Sequence, residues 1–176
     1  MLPGLAPTKP DTNANLYLDG ASFFGKCEEI DLGTLKTVMS DFQGLGMVGL
    51  IELPDGIDKL EGKITWNSLY VEAARKLVTP FKSVQLQCRS NVQVFNNGGL
   101  MNEIPLVTTM TITGKEYQLG THKPRDPTKY ETPFSATYVR QMINGEEVVL
   151  LDYLANIFRV GGEDQLGRYN RNLGIS

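Results

Sequence analysis

The chain has 176 residues, of which 41% are hydrophobic and 21% are charged, a balance typical of a folded globular protein and not of a disordered segment. Seventeen basic and twenty acidic side chains give a net charge of −3, without the Lys/Arg cluster that nucleic-acid-binding proteins present. No apolar run approaches the roughly 20 residues of a membrane-spanning helix, so we expect no membrane insertion of the chain. This length predicts one domain over residues 1–176.

Residues 1–15 are predicted to form an extended N-terminal arm. Pro3, Pro7 and Pro10 lie there among small and polar residues, and no basic start precedes an apolar stretch as it would in a signal peptide. Short strands are predicted at 16–18 and 30–32.

The segment 36–53 is predicted to be a hairpin that protrudes from the core. Its centre combines glycines with apolar side chains, namely Phe42, Gly44, Leu45, Gly46, Met47 and Val48. A monomeric protein normally avoids exposing such a surface, so the tip is expected to contact a partner. Gly44, Gly46 and Gly49 also match GxGxxG, but a dinucleotide site needs a buried strand before the motif and a helix after it. Both flanks fail this test, and the glycines are better explained by a turn.

Further along the chain, alternating apolar and polar residues dominate. Strands are predicted at 60–66, 84–94 and 106–113, the second with one apolar face and one face of Gln85, Gln87 and Arg89. Between the first two, one helix is predicted, capped by Asn67-Ser68, with Leu69, Ala73 and Leu77 on its apolar stripe and Glu72 paired to Lys76. Trp66 is predicted to be a core residue.

A second hairpin is predicted around Asn144-Gly145, with strands at 134–143 and 146–153, because this dipeptide favours the turn that matches strand twist. The tail 161–176 is too sparsely apolar to form a core alone, and its Arg168 and Leu173 are candidate contact residues. Together these elements predict a mainly β protein, an antiparallel β-sandwich or barrel with one short helix, a protruding hairpin and extended termini.

No catalytic, cofactor or metal site is predicted. His122 is the only histidine, and carboxylates adjacent in sequence point to opposite faces of a strand. Cys27 and Cys88 lack metal-ligand spacing and are expected to be free thiols, with an intersubunit disulfide as the alternative.

Two stretches carry a family resemblance. In 35–49 an aromatic residue precedes a glycine-rich turn and Met47, and 134–175 contains the Asn-Gly turn, Gly162-x-Asp164-x-Leu166 and Arg171-x-Leu173-Gly174-Ile175. With Leu18-Asp19-Gly20 near the start, this order resembles the FII-type tail tube proteins of contractile phages and the tubes of R-type pyocins. The segment 92–106 and both cysteines depart from that pattern.

The resemblance implies a non-enzymatic structural subunit of the virion tail, assembled in the host bacterial cytoplasm. Homohexameric rings would form one continuous β-barrel lumen and stack into a conduit through which DNA passes without specific binding. Tail sheath, tape-measure, baseplate and terminator proteins are the implied partners. The hairpin 36–53, the arm and the tail 161–176 are expected to supply contacts between copies. Six copies at −3 each would give a ring −18, which predicts an acidic bore.

Two alternatives remain open from the residues alone. An accessory β-sandwich binding module, such as a carbohydrate-binding or baseplate protein, would be a soluble monomer with an aromatic platform, whereas the aromatic residues here are scattered and include one Trp. An enzyme is the third reading, and no arrangement of nucleophile, base and oxyanion donors favours it.

Overall fold

The computed structural model describes residues 8–79, 81–120, 124 and 128–175. The described elements, in chain order, are β1 (Thr8–Leu18), β2 (Ala21–Ser22), β3 (Cys27–Asp31), β4 (Thr37–Phe42), β5 (Ile51–Ile57), β6 (Leu60–Trp66), α1 (Val71–Leu77), β7 (Val84–Asn96), β8 (Gly99–Gly114), β9 (Tyr130–Ile143), β10 (Glu146–Asp152), β11 (Ile157–Val160), β12 (Glu163–Asp164) and α2 (Gly167–Asn172). The prediction of a mainly β, antiparallel fold is confirmed.

Ten strands form one sheet in the order β12-β11-β10-β9-β8-β7-β1-β2, with β6 and β3 branching from β9. One edge of β9 pairs with β8, while its other edge pairs first with β6 and then with β10. Because β9 changes partner halfway along, β3 and β6 leave the plane of the main sheet and the apolar faces enclose a core.

The alternation along β7 builds that core. Val84, Leu86 and Cys88 are buried, whereas Gln85 and Arg89 on the other face are exposed. Trp66 is buried as predicted, and its indole N–H donates to Thr132 Oγ1 at 3.1 Å. Burial of a large ring with its one donor satisfied is a stabilising arrangement.

The Asn144-Gly145 turn is confirmed. Asn144 and Gly145 have φ values of 50° and 81°, the pair of positive angles that a type I′ turn requires, and they join β9 to β10 in antiparallel register. Asn and Gly tolerate these angles better than other residues, so the dipeptide fixes the hairpin.

The helix α1 starts later than predicted. It begins at Val71 after an extended Tyr70 and has no side-chain cap, because Asn67 instead accepts a hydrogen bond from the Tyr70 hydroxyl at 2.6 Å. Ala73 and Leu77 are buried as predicted, while Leu69 lies outside the helix and is exposed.

The predicted Glu72–Lys76 pair is wrong, since each side chain has a tertiary partner. Glu72 lies 3.6 Å from Lys26 Nζ, and Lys76 Nζ donates to the Leu18 carbonyl at 2.7 Å. Contacts with the turn before β3 and with the end of β1 have replaced a weak pairing within the helix.

The termini are more regular than predicted. From Thr8 the arm is part of β1, which pairs with β7 up to Thr8↔Val94, and the part before Thr8 lies outside the described residues. The tail contains β12 and α2. The described chain therefore has two short helices, one more than predicted.

Gly114 lets the end of β8 approach α1 closely. A Cβ placed there would lie 2.1 Å from the Leu77 carbonyl oxygen, a contact that forces backbone to move. We therefore expect Gly114→Val to lower the free energy of unfolding by about 2 kcal/mol, as overpacking does. Urea unfolding of the monomer measures this, with Gly49→Ala as the control because nothing lies within 4 Å of its added Cβ. Equal stability of both variants would contradict the packing argument.

Candidate functional site

The hairpin of β4 and β5 forms a two-stranded sheet of its own, apart from the ten-stranded sheet. Its ladder runs from Thr37↔Ile57 to Phe42↔Ile51, four residues longer than the predicted segment at its C-terminal side. At the tip the Met47 N–H donates to the Gly44 carbonyl at 3.1 Å, and Gly46 has φ +86°. Such a turn needs glycine at its third position, so the GxGxxG glycines serve the hairpin tip.

The predicted contact residues of the tip are exposed. Leu45 and Val48 are fully exposed, and Phe42 and Met47 are 49% and 37% exposed. Further exposed apolar residues of the hairpin are Val38, Met39, Leu50, Ile51 and Leu53. An apolar surface this continuous is unusual for a monomer and is typical of an interaction site.

The two faces of the hairpin differ. Phe42 pairs with Ile51 on one face, while Asp41 pairs with Glu52 on the other. Because successive side chains of a strand point to opposite sides, the ribbon has an apolar face and a face with two carboxylates.

The base of the hairpin is tied to the main sheet. The Asp58 N–H donates to the Lys36 carbonyl at 2.8 Å, and the Tyr153 hydroxyl donates to the Asp58 carbonyl at 2.5 Å. Ile57 packs against the core, and burial raises the pKa of Tyr153 above its ordinary value. The ribbon therefore projects from a fixed base.

The C-terminal contact candidates lie near this base. The helix α2 is held by two hydrogen bonds between Asn156 and Asn170, and Asn156 follows Tyr153 in the turn from β10 to β11. Arg168 and Leu173 are exposed there, and α2 makes no extensive contact with β4 or β5 of the same chain.

The outer face of β7, β8 and β9 is concave, is lined by both polar and apolar side chains, and encloses a volume of about 610 Å³. Its lining residues are Gln85, Gln87, Arg89, Pro105, Val107, Thr109, Thr111, Tyr138, Arg140, Met142 and Gly145. The sequence identified the β7 part of this face from its alternation. The contributions of β8 and β9 follow from the strand register, which the sequence pattern did not supply.

The two arginines of the concave face are held differently. Arg140 Nε lies 2.8 Å from Glu147 Oε2, and the same carboxylate also pairs with Arg159. Arg89 Nε donates to the neutral Gln87 amide oxygen at 3.0 Å and its guanidinium lies 5.8 Å from the Tyr17 ring centroid. Arg89 thus keeps its positive charge toward water, whereas Arg140 shares one carboxylate with Arg159.

The cysteines lie close to each other within one chain. Cys27 and Cys88 line one cavity of about 110 Å³ between β1, β3 and β7, and both thiols are free. Cys88 is buried, so it is not presented to a neighbouring subunit, which argues against the alternative of an intersubunit disulfide. Burial raises the pKa of both thiols, that of Cys27 to about 11.

This burial predicts slow thiol chemistry. Since the thiolate is the nucleophile, a rise of the Cys27 pKa from 9.0 to about 11 lowers its reactive fraction about a hundredfold at pH 8. We expect iodoacetamide to modify Cys27 at least that much more slowly in the folded chain than in the urea-unfolded chain, with the rate rising up to about pH 11. Mass spectrometry of timed samples measures both rates. A folded-state rate equal to the unfolded one would refute the prediction.

No metal cluster or catalytic arrangement emerges from the described residues. No three His, Cys, Asp or Glu side chains within them are placed to share a metal ion. His122 lies outside the residues that the structure describes. Neither described helix has the length and apolar character needed to cross a bilayer.

Comparisons with known proteins match nearly the whole chain. The sequence model of the family described as phage tail tube protein FII matches residues 12–174. The tail tube protein of Escherichia phage P2 is 24% identical over 171 residues, covering 92% of this chain and 94% of that protein.

Two solved structures of an extracellular contractile injection system share the fold. A chain of its PVC sheath-tube complex in the extended state aligns with a TM-score of 0.52 at 8% identity, covering 74% of this chain and 88% of that one. A chain of its sheath/tube terminator in the extended state gives 0.53 at 7% identity, covering 76% and 96%.

Proposed function

We propose, from the premise that this chain belongs to the phage tail tube protein FII family, that six copies close into a ring whose bore is lined by the concave face. The chain is a structural subunit of the inner tube of a contractile tail, a virion component and not an enzyme. The family match favours this reading over the accessory binding module.

The amphipathic strands are the observation that supports this proposal. Along β7 the apolar side chains cover the core of the chain while Gln85, Gln87 and Arg89 face a concavity open to water, as the wall of a wide barrel requires. Within the described residues β1 pairs with β2 at Tyr17 and Leu18, the Phe23 N–H donates to the Leu16 carbonyl, and no further strand pairs along that edge. A strand of a neighbouring copy placed there would extend the sheet around the ring and remove an aggregation-prone edge.

The charges on the concave face differ from the expected acidic bore. Arg89 and Arg140 line the concavity and no carboxylate of the described residues does, so the net charge of the chain does not predict the charge of this surface. Arg140 is held by Glu147, whereas Arg89 has no carboxylate partner among the described residues and would face the passing DNA. Such contacts with phosphate are weak, depend on salt and ignore base sequence, which suits passage without specific binding.

The hairpin is assigned to the contact between rings, and other tail proteins are assigned as partners of the tube. Its apolar face and the tip residues Leu45, Met47 and Val48 would be buried between stacked rings, and ring-on-ring stacking grows a filament because the contact does not close. We assign the sheath, baseplate and terminator as protein partners and a tape-measure protein as the determinant of length. The fold shared with chains of a sheath-tube complex and a terminator supports the sheath and the terminator as partners.

Self-assembly of the purified chain tests the function. Native mass spectrometry over rising protein concentration should detect hexamers, and electron microscopy of the concentrated sample should show hollow tubes. A chain that stays monomeric at every concentration would contradict the proposal.

A further inference from the structure

Two carboxylates face each other on the hairpin without a cation. Asp41 and Glu52 are direct cross-strand partners, both exposed, and no described Lys or Arg forms an ion pair with either. Like charges placed opposite each other weaken a strand pair. Met39 and Pro54 lie on the same face, each two residues along its strand from the acidic pair, and Met39 is exposed. This face therefore combines a negative centre with an apolar flank.

The helix α2 presents the complementary surface. Arg168 and Arg171 are exposed, lie three residues apart and so share one side of the helix, and neither pairs with a described carboxylate. Tyr169 and Leu173 form an exposed apolar strip beside them. Positive charge and apolar area are thus adjacent on α2, as negative charge and apolar area are on the hairpin.

Both surfaces lie at the same end of the subunit. Tyr153 holds the base of the hairpin and Asn156, in the same turn, holds α2. The Asp41–Glu52 pair stands four ladder positions beyond Thr37↔Ile57, about 13 Å from the base at 3.3 Å per residue. In rings stacked head to tail, the hairpin end of one ring faces the opposite end of the next ring, which does not carry α2. A neighbouring copy in the same ring has its α2 at the same end as the hairpin.

We propose that the acidic face of the hairpin docks on α2 of the adjacent copy in the same ring, pairing Asp41 and Glu52 with Arg168 and Arg171. The opposite, apolar face and the tip stay available to the next ring. This inference rests on the ring assembly proposed above and assigns the two sides of one ribbon to two different contacts.

Charge reversal with rescue tests the pairing. The acidic reversal is Asp41→Lys with Glu52→Lys, the basic reversal is Arg168→Glu with Arg171→Glu, and the third variant combines all four. Native mass spectrometry at 0.1 M salt measures the protein concentration at which half the chains are in hexamers. We expect each reversal alone to raise it at least tenfold and the combined variant to return it to within about threefold of the unmodified chain, since facing like charges become facing opposite charges.

A matched control uses the exposed cations near α1. Arg75→Glu with Lys82→Glu, added to the acidic reversal, should not restore hexamers. Raising the salt from 0.1 M to 1 M shortens the Debye length from about 10 Å to about 3 Å and should reduce the difference between single and combined variants. Circular dichroism and urea unfolding confirm that every variant is folded.

The outcomes separate this inference from the proposed function. Hexamers unaffected by both reversals, reversals that the combined variant fails to rescue, or rescue by the α1 control would each overturn the pairing while leaving the tube assignment intact. If the unmodified chain forms no hexamers while its monomer is folded, the ring assembly itself is wrong. Restoration by the combined variant alone supports the docking.

Discussion

Replacing Met47 and Val48 with Asp is expected to abolish tube growth and leave a folded subunit. Both side chains lie at the tip of the hairpin, Val48 fully exposed, and neither belongs to the core of the chain. Unfolding of the monomer should therefore change by less than about 0.5 kcal/mol, as for other surface substitutions. Between rings, the same changes would bury two unpaired carboxylates per copy, a cost of several kcal/mol. We expect the critical concentration for tubes to rise more than a hundredfold.

Light scattering and electron microscopy of a concentration series measure this effect. Met47→Leu with Val48→Ile is the matched control, because it keeps the apolar character of the tip and should preserve assembly. Hexamers should persist in the Asp variant, since the tip is assigned to stacking and not to ring closure. Tubes of normal length from that variant would remove the hairpin tip from the ring-to-ring contact.

Adding positive charge to the concave face is expected to impair DNA passage without impairing assembly. Gln85 is exposed, Thr109 is half-buried, and both line the concavity, so Lys at both positions would add twelve cations to each ring of six. Phosphate binding strengthens with each neutralised phosphate and weakens steeply with salt. We expect particles with this variant to eject DNA at least tenfold more slowly at 0.1 M salt and to recover at higher salt.

The uncharged pair Gln85→Asn with Thr109→Ser is the control for this prediction and should eject at the normal rate. Ejection is followed with a dye that fluoresces on released DNA. If the Lys variant forms no tubes although its monomer is folded, the concave face is a protein interface and not the bore. Normal ejection from normal tubes would equally contradict the assignment.

The sequence predicted those elements in which local pattern and long-range packing agree. The alternation of Val84, Leu86 and Cys88 with polar residues matches their burial, and the Asn144-Gly145 turn could be predicted because few dipeptides tolerate two positive φ angles. The hairpin could be predicted because apolar residues surround glycines at 42–48, whereas a core strand would have no such glycines.

Elements that depend on tertiary partners were not predictable. Lys76 bonds to the Leu18 carbonyl, 58 residues away, and not to Glu72 one helical turn before it. The set of residues that lines the concave face depends on the register of β8 and β9 against β7. A shift of one residue in that register would have placed other side chains on the face. The acidic pair Asp41–Glu52 likewise follows only from the register of β4 against β5, which sequence alternation alone does not fix.

A cryo-electron microscopy reconstruction of tubes grown from the unmodified chain would locate each face of the subunit in the assembly. We expect six copies per ring, Gln85, Arg89 and Thr109 facing the bore, and Met47 and Val48 buried against the next ring. A reconstruction with the β7–β9 face turned outward, or with the hairpin folded back on its own sheet, would contradict it.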